Sequence, residues 1–414
     1  MLKRIHVQHL AQGMFIHEFC GSWMEHPFWQ TQFLLKSTDD LARIRAGTIQ
    51  EVWIDTDRGA DVPASAAVVS RAEADAEIDR ALAHAQEEDA QTADTPQGLA
   101  DTTQELHRAV SICNAAKHAV VSMFGEARMG HAIDTEGAGN LVGELAASIT
   151  RNPGALVSLV RLKTADEYTY MHSVAVAALM LMLARQLGLD EVSTRQAGMA
   201  GLLHDLGKAR IPQAILNKPA RLTDTEFDIM RSHPALGHQM LHGGTIAQPV
   251  LDACLHHHEK MDGSGYPHRL PGPRIGLLAR MNAICDVYDA ITSNRPYKAG
   301  WDPAESLRRM AEWAGGHFDQ RVFQAFVKGL GIYPTGSLVR LESGRLAVVV
   351  EQAAGTLIAP VVKAFFSTRS GQRIPPEVIA LAGSTERITG REDPAAWNFT
   401  DLDELWSGLQ DPRW

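Results

Sequence analysis

From about residue 140 to residue 330 apolar positions recur at three- and four-residue spacing, which predicts helices almost throughout. Leu179, Leu183 and Leu187 lie on one face of such a pattern, and Gly188 ends it. Within it Val174 to Ala184 is an unbroken apolar run. That run is too short to span a bilayer and reads instead as a helix buried in a core. The spacing predicts further helices over Ala197 to Leu206, Asp224 to Arg231 with Thr223 as its cap, and Leu277 to Ile291. The flanks differ. Over residues 1–60 short apolar runs alternate with turn signals, so Phe33 to Leu35 and Glu51 to Asp55 read as strands and Asp39 to Ala46 as a short helix. Residues 60–105 are rich in Ala, Glu and Asp, as a linker and a solvated helix would be. Helical pattern resumes near Thr103 and runs through Met123, and a glycine-rich break is expected at Gly130 and Gly137-Ala138-Gly139. After Gly331, Ser337 to Leu341 and Leu346 to Val350 flank Ser343-Gly344 as a hairpin, with Val361 to Phe366 a third strand. The expected fold is mainly α. A small α+β domain (1–60) is followed by a linker and helix (61–140), a helical domain (141–335) and a short β-rich carboxy-terminal extension (336–414).

Composition narrows this picture. At 414 residues the chain needs more than one core, and 45% hydrophobic against 21% charged residues indicates globular domains. A net charge of −10 argues against a DNA- or RNA-binding protein, while leaving room for a small anionic ligand beside a local basic patch. Cys20, Cys113, Cys254 and Cys285 form no CxxC pair, and the start of the chain lacks the apolar stretch of a signal peptide. Both point to a reducing, cytoplasmic setting without a membrane span. The aromatic stretch Gly21 to Trp29 reads as packing.

The candidate chemistry lies in the helical stretch. His204-Asp205 is preceded by His172, 32 residues earlier, and followed by His233, 29 residues later. His257-His258 comes next, and Asp286 lies 29 residues beyond His257. Borderline nitrogen and hard oxygen donors in one helical region suit two or more divalent transition metals side by side. Paired metals suit in-line attack on a phosphate ester. Any one of these residues alone has a plainer reading: His172 as a buried hydrogen-bonded histidine, His204-Asp205 as a helix end, His233 before Pro234 as another. Together they are hard to explain that way, because a carboxylate such as Asp286 inside an apolar helix is costly unless it is paired or metal-bound. Asp205 has two oxygens and can bridge two metals. His256 reads as a solvent-facing or supporting residue, and His238 and His242 are set aside.

These residues sit in motifs that resemble an HD-GYP domain, a subgroup of the HD phosphohydrolases. The resemblance is carried by Thr169-Tyr170-Met171-His172-Ser173, Leu203-His204-Asp205-Leu206-Gly207-Lys208, Ile211-Pro212, Lys218-Pro219, His233-Pro234 and His257-His258-Glu259-Lys260-Met261-Asp262-Gly263-Ser264-Gly265-Tyr266-Pro267. Asp286-Val287-Tyr288-Asp289-Ala290 and Arg295-Pro296-Tyr297-Lys298 extend it, so that it covers roughly residues 145–335. Residues 1 to about 130 also resemble the amino-terminal domain of unknown function often joined to HD-GYP in bacterial proteins. The resemblance implies an HD-type helical bundle and a phosphodiesterase acting on cyclic di-GMP, giving pGpG and, through an open groove, GMP. It implies His172, His204, Asp205, His233, His257, His258 and Asp286 as metal ligands. It also implies Lys208, Arg295 and Lys298 as phosphate contacts, with His204, Asp205 and Lys208 as the catalytic group. Gly265-Tyr266-Pro267 matches the signature loop, whose implied role is partly structural and partly a docking surface for diguanylate cyclase domains. Some members carry a Glu four residues before the first His and bind three metals. That position is Tyr168, with Glu167 one place earlier and rotated by about 100° on a helix. Two metals, iron or manganese, are therefore expected.

Two rival readings stay open at this stage. One is a binding or scaffolding module in which catalysis is dispensable, against which stands the completeness of the seven ligands. The other is a hydrolase of a different cyclic or linear dinucleotide. The amino-terminal region is left as a homodimer contact, a partner platform or a lid.

Overall fold

The computed structural model describes residues 1–20, 32–46, 49–63, 68–70, 73–74, 102–162, 168–218, 220, 222–293, 300–353 and 355–409. The aromatic stretch Gly21 to Trp29, Glu167, Pro219, most of the Ala/Glu-rich linker, and Arg295 through Lys298 lie outside them. The chain divides into two compact units: residues 1–84 with 308–314, and residues 85–307 with 315–414.

The first unit is built on a five-stranded antiparallel sheet. Its strands are β1 (Leu2–His6), β2 (Phe15–Cys20), β3 (Phe33–Leu34), β4 (Glu51–Asp55) and β5 (Val69–Ser70), in the order β3-β2-β4-β1-β5. β1 and β4 pair from Leu2↔Asp55 to His6↔Glu51. Ile5, Leu10, Met14, Ile16, Leu35, Val52 and Ile54 form its core, joined by Ile44 from helix α1 (Thr38–Ala46). The strand and helix expectations for this region hold.

The second unit is helical, as expected. Its helices include α2 (Thr102–Met129), α3 (Thr135–Arg151), α4 (Pro153–Leu159), α5 (Tyr168–Gln186) and α6 (Glu191–Leu203). They continue with α7 (Asp224–Met230), α8 (His233–Leu241), α9 (Gln248–His256), α10 (Leu277–Thr292), α11 (Pro303–Trp313), whose residues from Arg308 onward count with the first unit, and α12 (Gln320–Leu330). α5 is the central helix: every residue from Val174 to Ala184 is buried. Two glycines let α6 lie close against it. A Cβ on Gly201 would stand 2.8 Å from the Cα of Ala177, and one on Gly198 would meet Leu181 at 2.8 Å. The predicted break at residues 137–139 is corrected: only Gly130, at φ +81°, interrupts the chain there. Gly137 to Gly139 lie inside α3, where Asp134 caps the helix by accepting from Gly137 N. A Cβ at 137 would sit 2.3 Å from that carboxylate, so a larger residue there would displace the cap.

The unit ends in a second antiparallel sheet. β6 (Leu338–Leu341), β7 (Arg345–Glu351), β8 (Val361–Ser367), β9 (Gln372–Ala380) and β10 (Ile388–Arg391) are ordered β10-β6-β7-β8-β9. The β6–β7 hairpin turns at Gly344, φ +79°, as its sequence predicts. Five strands form where three were expected. β9 escaped notice because it is an exposed edge strand containing Pro375 and Pro376, which only an edge tolerates. Among the described residues no helix is long and apolar enough to cross a membrane.

Candidate metal centre

The site is assembled at helix ends. α6 stops at Leu203, three residues before the predicted end, and the chain turns through His204 and Asp205 into a 3-10 turn, Leu206–Arg210. Leaving the α-helix there lets two consecutive side chains face one point. Gly207 then passes against the start of α8: a Cβ on it would stand 1.9 Å from the carbonyl oxygen of His233. That close passage brings His233, at the first turn of α8, to Asp205. His257 and His258 follow the last residue of α9, His172 lies in the first turns of α5, and Asp286 lies on the buried face of α10.

The structure brings all seven predicted ligand residues together. His172, His204 and Asp286 have ligand atoms within 4.8 Å of one another, as do His204, Asp205 and His257, and His233, His257 and His258. Asp205 lies between two sets. Its Oδ2 is 3.4 Å from His204 Nε2 and 3.6 Å from His172 Nε2, while its Oδ1 is 3.2 Å from His233 Nε2 and 3.9 Å from His257 Nε2. Asp286 Oδ1 lies 3.0 Å from His172 Nε2, and its Oδ2 3.9 Å from His258 Nδ1.

Four of the imidazoles have their other nitrogen committed. His204 Nδ1 donates to Gly201 O at 2.8 Å, His233 Nδ1 to Met230 O at 2.8 Å and His257 Nδ1 to Cys254 O at 2.9 Å. His172 Nδ1 bonds Asp289 Oδ2 at 2.7 Å. In His204, His233 and His257 the carbonyl partner fixes the tautomer that leaves the Nε2 lone pair aimed inward, the arrangement a metal ligand needs. The resemblance implies no role for Asp289, although it belongs to the same motif as Asp286. Its signal was a second carboxylate three residues after Asp286, on the same face of an apolar helix.

The buried polar atoms fit a cation. His204 Nε2 and Asp205 Oδ1 make no hydrogen bond. His233 Nε2 and His257 Nε2, both lone pairs, face each other at 3.2 Å. Burial and the neighbouring imidazoles push His257 well below the ordinary histidine range, and burial with His233 brings His258 to about 3. Burial alone would favour a neutral Asp205, but the Lys208 ammonium and the imidazoles override it and hold the carboxyl well below its usual range. Asp286 is likewise driven down against burial, chiefly by His172. His172 moves up, because Asp286 and Asp289 outweigh its burial. The donor set is nitrogen and oxygen without thiolate, which suits a borderline divalent metal.

Lys208 donates to Asp205 Oδ2. In the signature loop, Gly265 lies so close to the preceding backbone that a Cβ would be 2.4 Å from Glu259 Cα. The buried Glu259 accepts from His268 N at 2.6 Å and Leu270 N at 3.0 Å, closing the loop on itself. Tyr266 stacks on His258 with ring centroids 4.7 Å apart. Arg295 and Lys298 are outside the described residues, as are Glu167 and the side chain of Tyr168 on which the metal count turned. His256 is buried rather than solvent-facing and is not part of these groups: its ring bonds Asp252 at 2.9 Å and His268 at 2.9 Å. His238 and His242 stack on each other.

Two family models match the chain: a domain of unknown function (DUF3391) over residues 2–138 and an HD domain over residues 149–322. A cyclic di-GMP phosphodiesterase of Pseudomonas aeruginosa is 55% identical over 99% of this chain and 96% of its own length. A cyclic di-GMP phosphodiesterase response regulator of Xanthomonas campestris is 42% identical over 36% of this chain and 40% of its own. A 3′3′-cGAMP-specific phosphodiesterase of Vibrio cholerae is 36% identical over 39% of this chain and 38% of its own.

Proposed function

The chain belongs to the HD-GYP family of phosphodiesterases, and we propose that it hydrolyses cyclic di-GMP to pGpG, with a second cut to GMP where the groove admits the linear product. The observation that carries this reading is Asp205, whose two oxygens face two different sets of imidazoles. His172, His204, Asp205, Asp286, His233, His257 and His258 would hold two divalent ions, iron or manganese, with Asp205 between them. When bound, such a pair supplies Lewis acidity at the phosphoryl oxygens and acidifies water.

The remaining chemistry belongs to the chain's own side chains. The Nδ1 bonds of His172, His204, His233 and His257 fix ring orientation before substrate arrives, so little reorganisation is left for the reaction. Lys208 keeps Asp205 ionised and places a cation beside the phosphate position. Arg295 suits a phosphate bidentately through its planar fork, and Lys298 as a point charge. Local positive charge of this kind reconciles a dianionic substrate with a chain at −10. The resemblance to a cGAMP-specific enzyme supports one second reading, a mixed cyclic dinucleotide as substrate, because metals select phosphate and not base. The same family reading carries a cytoplasmic location, a homodimer, and docking of diguanylate cyclase domains on Gly265-Tyr266-Pro267.

The test is turnover of cyclic di-GMP, pGpG and 3′3′-cGAMP by anaerobically prepared, metal-replete protein. Cyclic di-GMP is expected to be the preferred substrate, with pGpG as its first product. Preference for 3′3′-cGAMP would shift the assignment, and no cleavage of any of the three would remove it.

A further inference from the structure

Arg231 stands two residues before His233, at the end of α7, and the function above gives it no work. Its guanidinium carbon lies 4.8 Å from the centroid of the Tyr266 ring and 5.8 Å from that of Phe227. Tyr266 is in turn stacked on His258, with the planes 28° apart. Its ion-pair partner Asp228 stands 3.9 Å away, too far for a hydrogen bond. The side chain is 34% exposed. An arginine held by aromatic rings keeps its in-plane N–H donors available, and these are set at the border of the metal centre.

Resting on the reading of the chain as a cyclic di-GMP phosphodiesterase, we infer that Arg231 is a specificity residue that binds a guanine base of the substrate. Arg231 lies one aromatic layer beyond His258, and the inference places the base there when a phosphate of the substrate occupies the centre. A guanidinium has only donors. The O6 and N7 of guanine present two acceptors that match its fork, whereas adenine puts an amino donor in place of O6. Arg231 therefore favours guanine over adenine at that position, and Tyr266 supports the arginine as well as His258.

The experiment compares wild type, Arg231→Lys and Arg231→Met. It measures turnover of cyclic di-GMP, turnover of bis(p-nitrophenyl) phosphate, which has no base, inhibition of the latter by cyclic di-AMP, and bound metal. Arg231→Met is expected to raise the KM for cyclic di-GMP about tenfold, the scale of one bidentate base contact. Arg231→Lys, which keeps the charge and loses the fork, should recover little of this. The cyclic di-AMP inhibition constant should move less than about twofold, and bound metal should stay at the wild-type level. Equal weakening of cyclic di-GMP and cyclic di-AMP would make Arg231 a phosphate contact and overturn the inference. Parallel loss of metal and of bis(p-nitrophenyl) phosphate turnover would overturn it in favour of structural support for His258. If wild type does not cleave cyclic di-GMP, the functional assignment itself fails and the inference falls with it. If wild type cleaves it and Arg231→Met is unaltered, the inference alone fails.

Discussion

Two groups of histidines lie close together in the second unit, and they use their nitrogens in opposite ways. In the metal centre, His172, His204, His233 and His257 spend Nδ1 on a carbonyl or carboxylate and leave Nε2 facing inward. In the neighbouring chain Asp252–His256–His268, both ring nitrogens of His256 are satisfied by protein. The two histidines His256 and His257 are adjacent in sequence, yet one closes a hydrogen-bond chain and the other aims Nε2 toward Asp205 and His233, at the proposed metal site. What separates a proposed ligand from a structural histidine is therefore the partner of its second nitrogen, and that partner comes from the fold.

The contrast can be broken most forcefully at its centre. His204→Ala with Asp205→Ala should lose bound metal and lower turnover by about a thousandfold or more, as loss of the group that prepares the nucleophile does. Circular dichroism should show the helices intact. Unchanged metal content would place the centre elsewhere.

Gly207→Ala should come next. Its methyl group would overlap the His233 carbonyl, so we expect a cost of about 3 kcal/mol, read as a lower denaturant midpoint, together with weaker metal binding. Asp289→Ala removes no proposed ligand. By freeing His172 Nδ1 it should weaken metal affinity about 10- to 100-fold in a chelator competition. His256→Gln, on the other side of the comparison, should cost about 1 kcal/mol of stability and leave metal content unchanged.

A carboxylate outside the centre sharpens the same contrast. Asp302 caps α11 by accepting from Ala304 N and Glu305 N at 2.9 and 3.0 Å. Burial raises it to about 6, with those amides and Arg161 pulling the other way, whereas Asp205 and Asp286 are held low. Its folded value lies above its unfolded one, so its contribution to stability is present at low pH and is lost as pH rises through about 6. Asp302→Asn should therefore raise the melting temperature at pH 7.5 and change it little near pH 4. A larger gain at the acidic end would reverse the sign and refute the assignment.

Much of the centre was legible because its residues are chemically expensive. Asp286 inside an apolar helix and His204-Asp205 at the end of another have few plain explanations, and the ordered motifs fixed the rest. The supporting partners were not legible. Gly201 O, Met230 O and Cys254 O are backbone atoms, and no residue type reports that a carbonyl will receive an imidazole. Asp289 was visible as a carboxylate three residues past Asp286, but only the packing of α10 on α5 turns it toward His172. The end of α6 was misplaced because Leu206 continues the apolar spacing, while the chain leaves the α-helix at His204 to present adjacent side chains to one site. In the second sheet, β9 was missed because an edge strand with two prolines carries no alternating apolar signal.

Anomalous diffraction from crystals of anaerobically purified protein tests the central claim most directly. Two metal peaks about 3.5–4 Å apart are expected, flanking Asp205, with none beside His256 and His268. A single peak away from Asp205, or a metal held by His256 and His268, would contradict it.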